Sequence, residues 1–399
     1  MPIGWIDYSR EERNKVVSVL DLLSEKGTLD ELGIAPIRDG FANIFFPGTS
    51  TIQTRAKYFF IVPYACRDIE ISEETSPEKA IKTLDDKERQ CGEKFLETDP
   101  DTDGLIGGIT LKHDMWVKRP PSSIYWAGLQ QYQIFKNNQT IREYIHANCA
   151  IKKHKKETKQ LGNHRRDAEE GETDDRNAEA LFQYSFWNIP TYSEDWFAHL
   201  DMKLTKDEGR FLLSQIKRTC QGTLMELLLK EKAVAVKDIG SFRDMRPIIA
   251  SMPTQIKNDY DMAVSFSEFI HVLQTAFTLV VTADGNKKAL DEWNRIEPDL
   301  PNISDIGIDG IFRRLDLYAH NRLKTFLQET KVAMLNDDLD ELKRLVTKRE
   351  IGLKGLNRAK SNHLGEFDKD AWYGGGYLNY RFNNAKSIIM DIFESVGIC

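Results

Sequence analysis

Apolar residues recur at helical spacing along most of this chain. Ser9 with Glu12 makes a capping-box pair, and Val16, Leu20 and Leu23 follow it on one face. Lys26-Gly27 closes that helix. Thr28 with Glu31 opens a second one, which Pro36 bends or ends. Pro47-Gly48 then turns the chain. Ser50, with Gln53 as reciprocal partner, is expected to launch a third helix through Arg55, Lys57 and the aromatic run to Phe60, interrupted near Pro63. Three short helices joined by tight turns fit either a helix-turn-helix or a plain bundle, and the bundle is the commoner arrangement.

Beyond them, charge alternates along a helical stretch from Glu74 to Glu97. Leu105–Leu111 is a short apolar run broken by glycines and is read as one candidate strand. Pro120-Pro121 ends the preceding element, and a serine caps a helix carrying Ile124, Leu129 and Tyr132. Further on, Thr205 and Glu208 form another capping box, and Leu212, Leu213, Ile216, Cys220, Leu224, Leu227 and Leu228 hold one stripe. Phe266, Phe269, Ile270, Leu273, Phe277 and Val280 make a cleaner one. Ile311 to Phe326 suggests a third long helix, and Ile388, Ile389, Ile392 and Phe393 mark a final one. With no internal repeat and no series of strands, the fold class is mainly α, a multi-domain helical protein with at most minor β-strands.

Charge marks the boundaries. Lys152, Lys153, Lys155, Lys156 and Lys159 cluster, Arg165 and Arg166 extend them, and six acidic residues follow between Asp167 and Asp175. Such a stretch buries too little apolar surface to offset its ordering entropy. The chain is therefore expected to divide into an N-terminal helical domain (1–73), a small helical and conceivably winged-helix-like unit (74–150), a charged linker or mobile loop (151–178) and a C-terminal helical domain (179–399). A length of 399 residues suits several domains, and 41% apolar with 29% charged residues is ordinary for a globular protein. The net charge of −7 means that nucleic acid would need a local basic patch. The first residues lack the basic and apolar regions of a signal peptide, and no uninterrupted apolar run reaches the roughly 18–20 residues of a membrane helix. Five scattered cysteines without a CxxC pair read as free thiols in a reducing cytoplasm.

Candidate chemistry is sparse. The chain has no GxSxG elbow, HExxH helix, P-loop or GxGxxG. Ser214-Gln215-Ile216-Lys217 fits SxxK but lies in an amphipathic helix, where a solvated face is the simpler reading. His154-Lys155-Lys156 begins like a phospholipase D-type motif and lacks its aspartate, because Leu161 stands there. Glu341-Leu342-Lys343 after Asp337 and Asp338 resembles the acidic pair of a metal-dependent nuclease, yet its leucines are spaced as in a helix. Asp316 and His320 stand four apart on the expected third helix and could pair. No cofactor and no metal site is expected.

The C-terminal region is richer. Lys343, Arg344, Lys348, Arg349, Lys354, Arg358 and Lys360 precede the aromatic and glycine run Trp372–Phe382. Rings beside cations can stack bases while the cations meet phosphate; alternatively the rings anchor the last helix and the lysines are solvated. The expected binding residues are Arg55, Arg344, Arg349, Arg358, Tyr380 and Arg381.

Gly4-Trp5-Ile6-Asp7, the run from Gly27-Thr28 to Gly33, Ile37-Arg38-Asp39 and above all Phe46–Arg55 resemble the opening of a bacterial family, domain of unknown function 6361. Pro121–Trp126 and Leu378–Phe382 are similar to it as well, so the resemblance runs over nearly the whole chain. It implies a bacterial setting and a place among antiviral-defence genes, near helicases or nucleases, and carries no activity and no catalytic residue. The expectation is a cytoplasmic component that binds nucleic acid or a helicase or nuclease partner and no membrane. A metal-dependent nuclease with dispersed carboxylates and a purely structural adaptor are the alternatives.

Overall fold

The structure is a computed structural model that describes residues 30–165, 186–364 and 366–398. It is mainly α. Among the described residues, helices of seven residues or more are α1 Ala35–Phe45, α2 Tyr58–Ile71, α3 Pro77–Thr98, α4 Pro121–Gln131, α5 Ile141–Arg165, α6 Lys206–Thr219 and α7 Leu224–Lys230. They continue with α8 Thr254–Val281, α9 Lys287–Ile296, α10 Ile308–Arg314, α11 Asn321–Leu335, α12 Leu339–Lys354 and α13 Phe382–Val396. The β content of the described residues is an isolated bridge between Phe135 and Trp187.

The described chain forms two compact units. The larger draws on Phe41–Tyr260 and Asn379–Cys399, the smaller on Met1–Gly40 and Asp261–Leu378. In the larger unit α2 packs on α3 and α4, and α6 packs along α13. Every residue of α2 from Tyr58 to Cys66 is buried, so this helix is apolar all round rather than striped. Gly209 of α6 faces Ser395 of α13 with no room for a side chain. A cluster of Phe41, Phe45, Phe242, Tyr380 and Phe382 fills the core beside it, with ring centroids 4.9–6.5 Å apart. In the smaller unit α11 packs on α12, and the buried face of α8 supplies Phe266, Phe269, Ile270, Leu273 and Phe277.

Several sequence expectations change here. No helix starts at Ser50. Residues 50–57 are loop and turn, α2 begins at Tyr58, and Pro63 lies within it. Half of the expected box exists, because the Ser50 backbone N–H donates to Gln53 Oε1 at 3.2 Å, while Ser50 Oγ caps nothing. Pro36 sits in the first turn of α1, where its missing N–H costs no helical bond. Asp30 caps that helix by accepting from Ile34 and Ala35. Leu105–Leu111 holds no strand, since Gly104 and Gly107 take φ of 73° and 78° and a helical turn follows. The stripe from Leu212 to Leu228 is split at Gly222, φ 77°, and Thr223 caps α7 anew. The expected third helix is two, α10 and α11, because Asp316 turns the chain at φ 54°. Asp316 and His320 therefore share no helix face. Ile151–Arg165, read as the start of a linker, continues α5. The rest of the charged stretch from Arg166, the Ser9 helix and Cys399 lie outside the described residues.

Other expectations hold. The Thr205–Glu208 capping box is complete; Ser76, which the sequence reading did not single out, caps α3 ahead of Pro77. Cys66, Cys91, Cys149 and Cys220 are buried free thiols. One helix goes beyond the expectation on membranes: among the described residues, α8 alone is long and apolar enough to cross a bilayer, although 78% of its most apolar window is packed inside the protein.

Candidate functional site

The six residues expected to bind lie in both units and are mostly engaged internally. Arg55 faces inward. Its Nε and Nη2 donate to Asp391 at 2.8–3.0 Å, its Nη1 reaches the Asp103 carbonyl, and the Ala56 backbone N–H donates to the same carboxylate at 2.8 Å. These bonds, chiefly that to Asp391, raise the Arg55 pKa. Beside this pair Lys57 is buried against Glu208 at 2.8 Å, and Tyr64 Oη donates to Glu208 at 3.1 Å. Glu208 thus closes the capping box of α6 and holds Lys57 at once. Arg381 Nη1 donates to Asn43 Oδ1 and the Thr49 carbonyl. Tyr380 is 2% exposed, its ring wedged among Phe41, Phe45 and Phe242.

In the smaller unit Arg349 donates to the carbonyls of Leu32 and Gly33 and lies over the Phe326 ring at 5.3 Å. Arg344 pairs with Glu341 at 2.6 Å, and Arg358 donates to the Lys354 carbonyl; both reach solvent. Their neighbours Lys354 and Lys360 converge on the buried carboxylates of Glu31 and Glu350. The acidic-x-lysine candidate behaves as an exposed helix, with Lys343 on Asp284 and Glu341 on Arg344. Part of the Lys152–Lys159 cluster is likewise engaged. Lys152 Nζ bonds the Ile69 and Glu74 carbonyls, and Lys156 bonds that of Glu73, near the C-terminal end of α2 where helix carbonyls attract cations.

Two arrangements remain that carry open polar chemistry. The first is a groove of about 480 Å³ on α6 in the larger unit, lined by Arg210, Leu213, Ser214, Lys217, Arg218 and Gln221. The helical period puts Arg210, Ser214, Lys217 and Arg218 on one side, with Gln221 just past the helix end, while Leu212 and Ile216 are buried on the other. Arg210 stands 3.9 Å from Asp207. Arg218 donates to the neutral amides of Gln133 and Gln215, which leave its charge uncompensated. Lys217 has no hydrogen-bond or ion-pair partner among the described residues. The SxxK residues Ser214 and Lys217 thus belong to this cationic face rather than to a nucleophile–base pair.

The second is in the smaller unit. His271 Nε2 meets Glu292 Oε1 at 2.6 Å, and Arg295 donates to Glu292 and, at 3.0 Å, to Tyr377 Oη. The Arg295 bonds and then that of His271 hold the Glu292 carboxyl down at about 2. The Tyr377 ring stacks on His271 at 4.0 Å and Trp372 lies 6.0 Å away. Among the described residues, no three His, Cys, Asp or Glu side chains are placed to hold a metal ion.

Residues 2–155 match the family model described as a family of unknown function, DUF6361. The matched segment is less than half of the chain. It includes the Phe46–Arg55 block, whose role in the fold is now plain: Arg55 and Lys57 carry it onto Asp391 and Glu208. The groove on α6, the His271 cluster and Leu378–Phe382 all lie outside the DUF6361 match, so the match is shorter than the resemblance implied. No curated protein and no solved structure matches the chain.

Proposed function

We propose that this protein is a non-enzymatic binding component that engages a polyanionic partner, nucleic acid foremost, through the cationic face of α6. The carrying observation is Lys217 standing between Arg210 and Arg218 in an open groove. The protein as a whole is acidic at −7, so this run of cations, in which Arg210 has Asp207 beside it, is local. Three cations and a hydroxyl along one helix face, with an amide just past its end, suit a row of phosphates, which position a chain without reading its sequence. The setting the DUF6361 resemblance implies, cytoplasmic antiviral defence in bacteria beside a helicase or nuclease, is compatible with such a role and is proposed with it.

The test is a mobility-shift titration with labelled single- and double-stranded DNA and RNA. Wild type is expected to shift at least one substrate. Arg210→Gln, Lys217→Gln and Arg218→Gln combined should abolish the shift, with the melting temperature lowered only by the loss of the Arg218 bonds to Gln133 and Gln215. A wild type that shifts nothing, or a triple variant that shifts equally well, would refute the proposal.

A further inference from the structure

One row of polar residues on helix α8 meets residues 371–378. Ser267, His271, Gln274, Thr278 and Thr282 recur at steps of three and four, which places them along a single line. Residues 371–378 run over that line as a strap. Leu378 N donates to Ser267 Oγ at 2.8 Å, and Gly374 N donates to Thr278 Oγ at 2.9 Å. With its amide nitrogen facing the strap, Gln274 donates to the carbonyls of Gly375 at 2.8 Å and Gly376 at 3.1 Å. Asn286 Nδ2 donates to the Ala371 carbonyl at 2.9 Å, and the rings of Trp372 and Tyr377 lie against His271.

Leu378 is buried and the Trp372 and Tyr377 rings cover His271, while between them Gly374–Gly376 are held by hydrogen bonds alone. Gly374, Gly375 and Gly376 add no side chain to a core, and a Cβ on Gly374 would collide with the Gln274 carbonyl. A glycine backbone also gains more freedom on release than any other. Segments with few buried apolar contacts open at the low end of a protein's range of local stabilities. We infer that the strap 371–378 opens as a unit, without unfolding of its domain, and uncovers a polar site built on His271, Gln274 and Thr278 with Glu292 and Arg295 beside it. The uncovered groups are those that now hold an extended backbone, so the site fits an extended peptide segment. Its histidine carries a carboxylate on one ring nitrogen and can take up or pass on a proton. The inference is independent of the groove on α6.

Hydrogen exchange of the full-length protein, resolved to single amides, tests it. The hydrogen-bonded amides of Gly374 and Leu378 should exchange at least about 100-fold faster than those of Val272 and Leu273 inside α8, as expected for local rather than global opening. Gly374→Ala should speed Leu378 exchange by a further factor of about ten and raise carbethoxylation of His271. Gly376→Ala has open space around its Cβ and should change neither. Strap amides that exchange only at the rate of the α8 core would overturn the inference, as would His271 labelling that is equal in all three proteins.

Discussion

Glu88 lies inside the larger unit at 1% exposure and accepts from Ser122 N at 2.5 Å and Ser122 Oγ at 2.9 Å. It so caps α4, but burial outweighs these bonds and pushes its carboxyl up to about 8. A folded value above the unfolded one favours the fold while the group is protonated. The contribution is whole below the ordinary glutamate range and is lost as pH rises through about 8. Urea melts of wild type and Glu88→Gln at pH 6 and pH 9 check this. Wild type should lose stability relative to Glu88→Gln on going up, whereas parallel behaviour would place Glu88 ionised throughout. Asp391 presents the opposite case. Asp391→Ala strands the Arg55 charge and the Ala56 N–H, and a loss of about 3 kcal/mol is expected in denaturant melts. The pairing was not visible from sequence: Arg55 and Asp391 are 336 positions apart, and only the fold brings them together.

At the scale of elements, what the sequence disclosed was the long stripe and the local cap. The apolar faces of α8 and α13 and the box at Thr205 were legible because their partners lie within a few residues. What it hid was the break. Gly222 and Asp316 enter the left-handed region inside runs whose periodicity continues across them. The Phe46–Arg55 block failed as a helix for a related reason, since its polar groups bond to distant partners. Thr54 and Arg55 N–H both donate to Tyr125 Oη, and Thr54 Oγ1 donates to the Gly104 carbonyl. This reverses one expectation. Ser50 Oγ is buried without a partner, so Ser50→Ala should be neutral or slightly stabilising in thermal melts rather than showing the roughly 1 kcal/mol loss of a removed cap. Gly48, at φ 79° with the Tyr132 ring 2.7 Å from a built Cβ, is the keystone of the turn. Gly48→Ala should cost at least about 1–2 kcal/mol. Equal melting of the two variants would contradict this account of the block.

At the scale of the whole molecule, composition bounded the class and did not show which cations are engaged internally. Lysines and arginines number 55 against 62 acidic residues, and counting them along the C-terminal segment pointed to a basic surface. The structure shows that most of those cations have carboxylates or carbonyls as partners, whereas α6, with fewer cations in sequence, holds them on one open face. A patch is a property of which neighbours fold onto a charge, and charge spacing alone does not reveal it. The central claim is that this face meets phosphate. Affinity for a labelled oligonucleotide measured from 50 to 200 mM salt tests it most directly. Three phosphate contacts predict a slope of log K against log salt of roughly −2.1 to −2.7, a loss of about 18- to 42-fold over that range. Replacing Lys217 by Gln should make the slope shallower by about one. A wild-type affinity that does not change with salt, or a slope untouched by Lys217→Gln, would contradict the account.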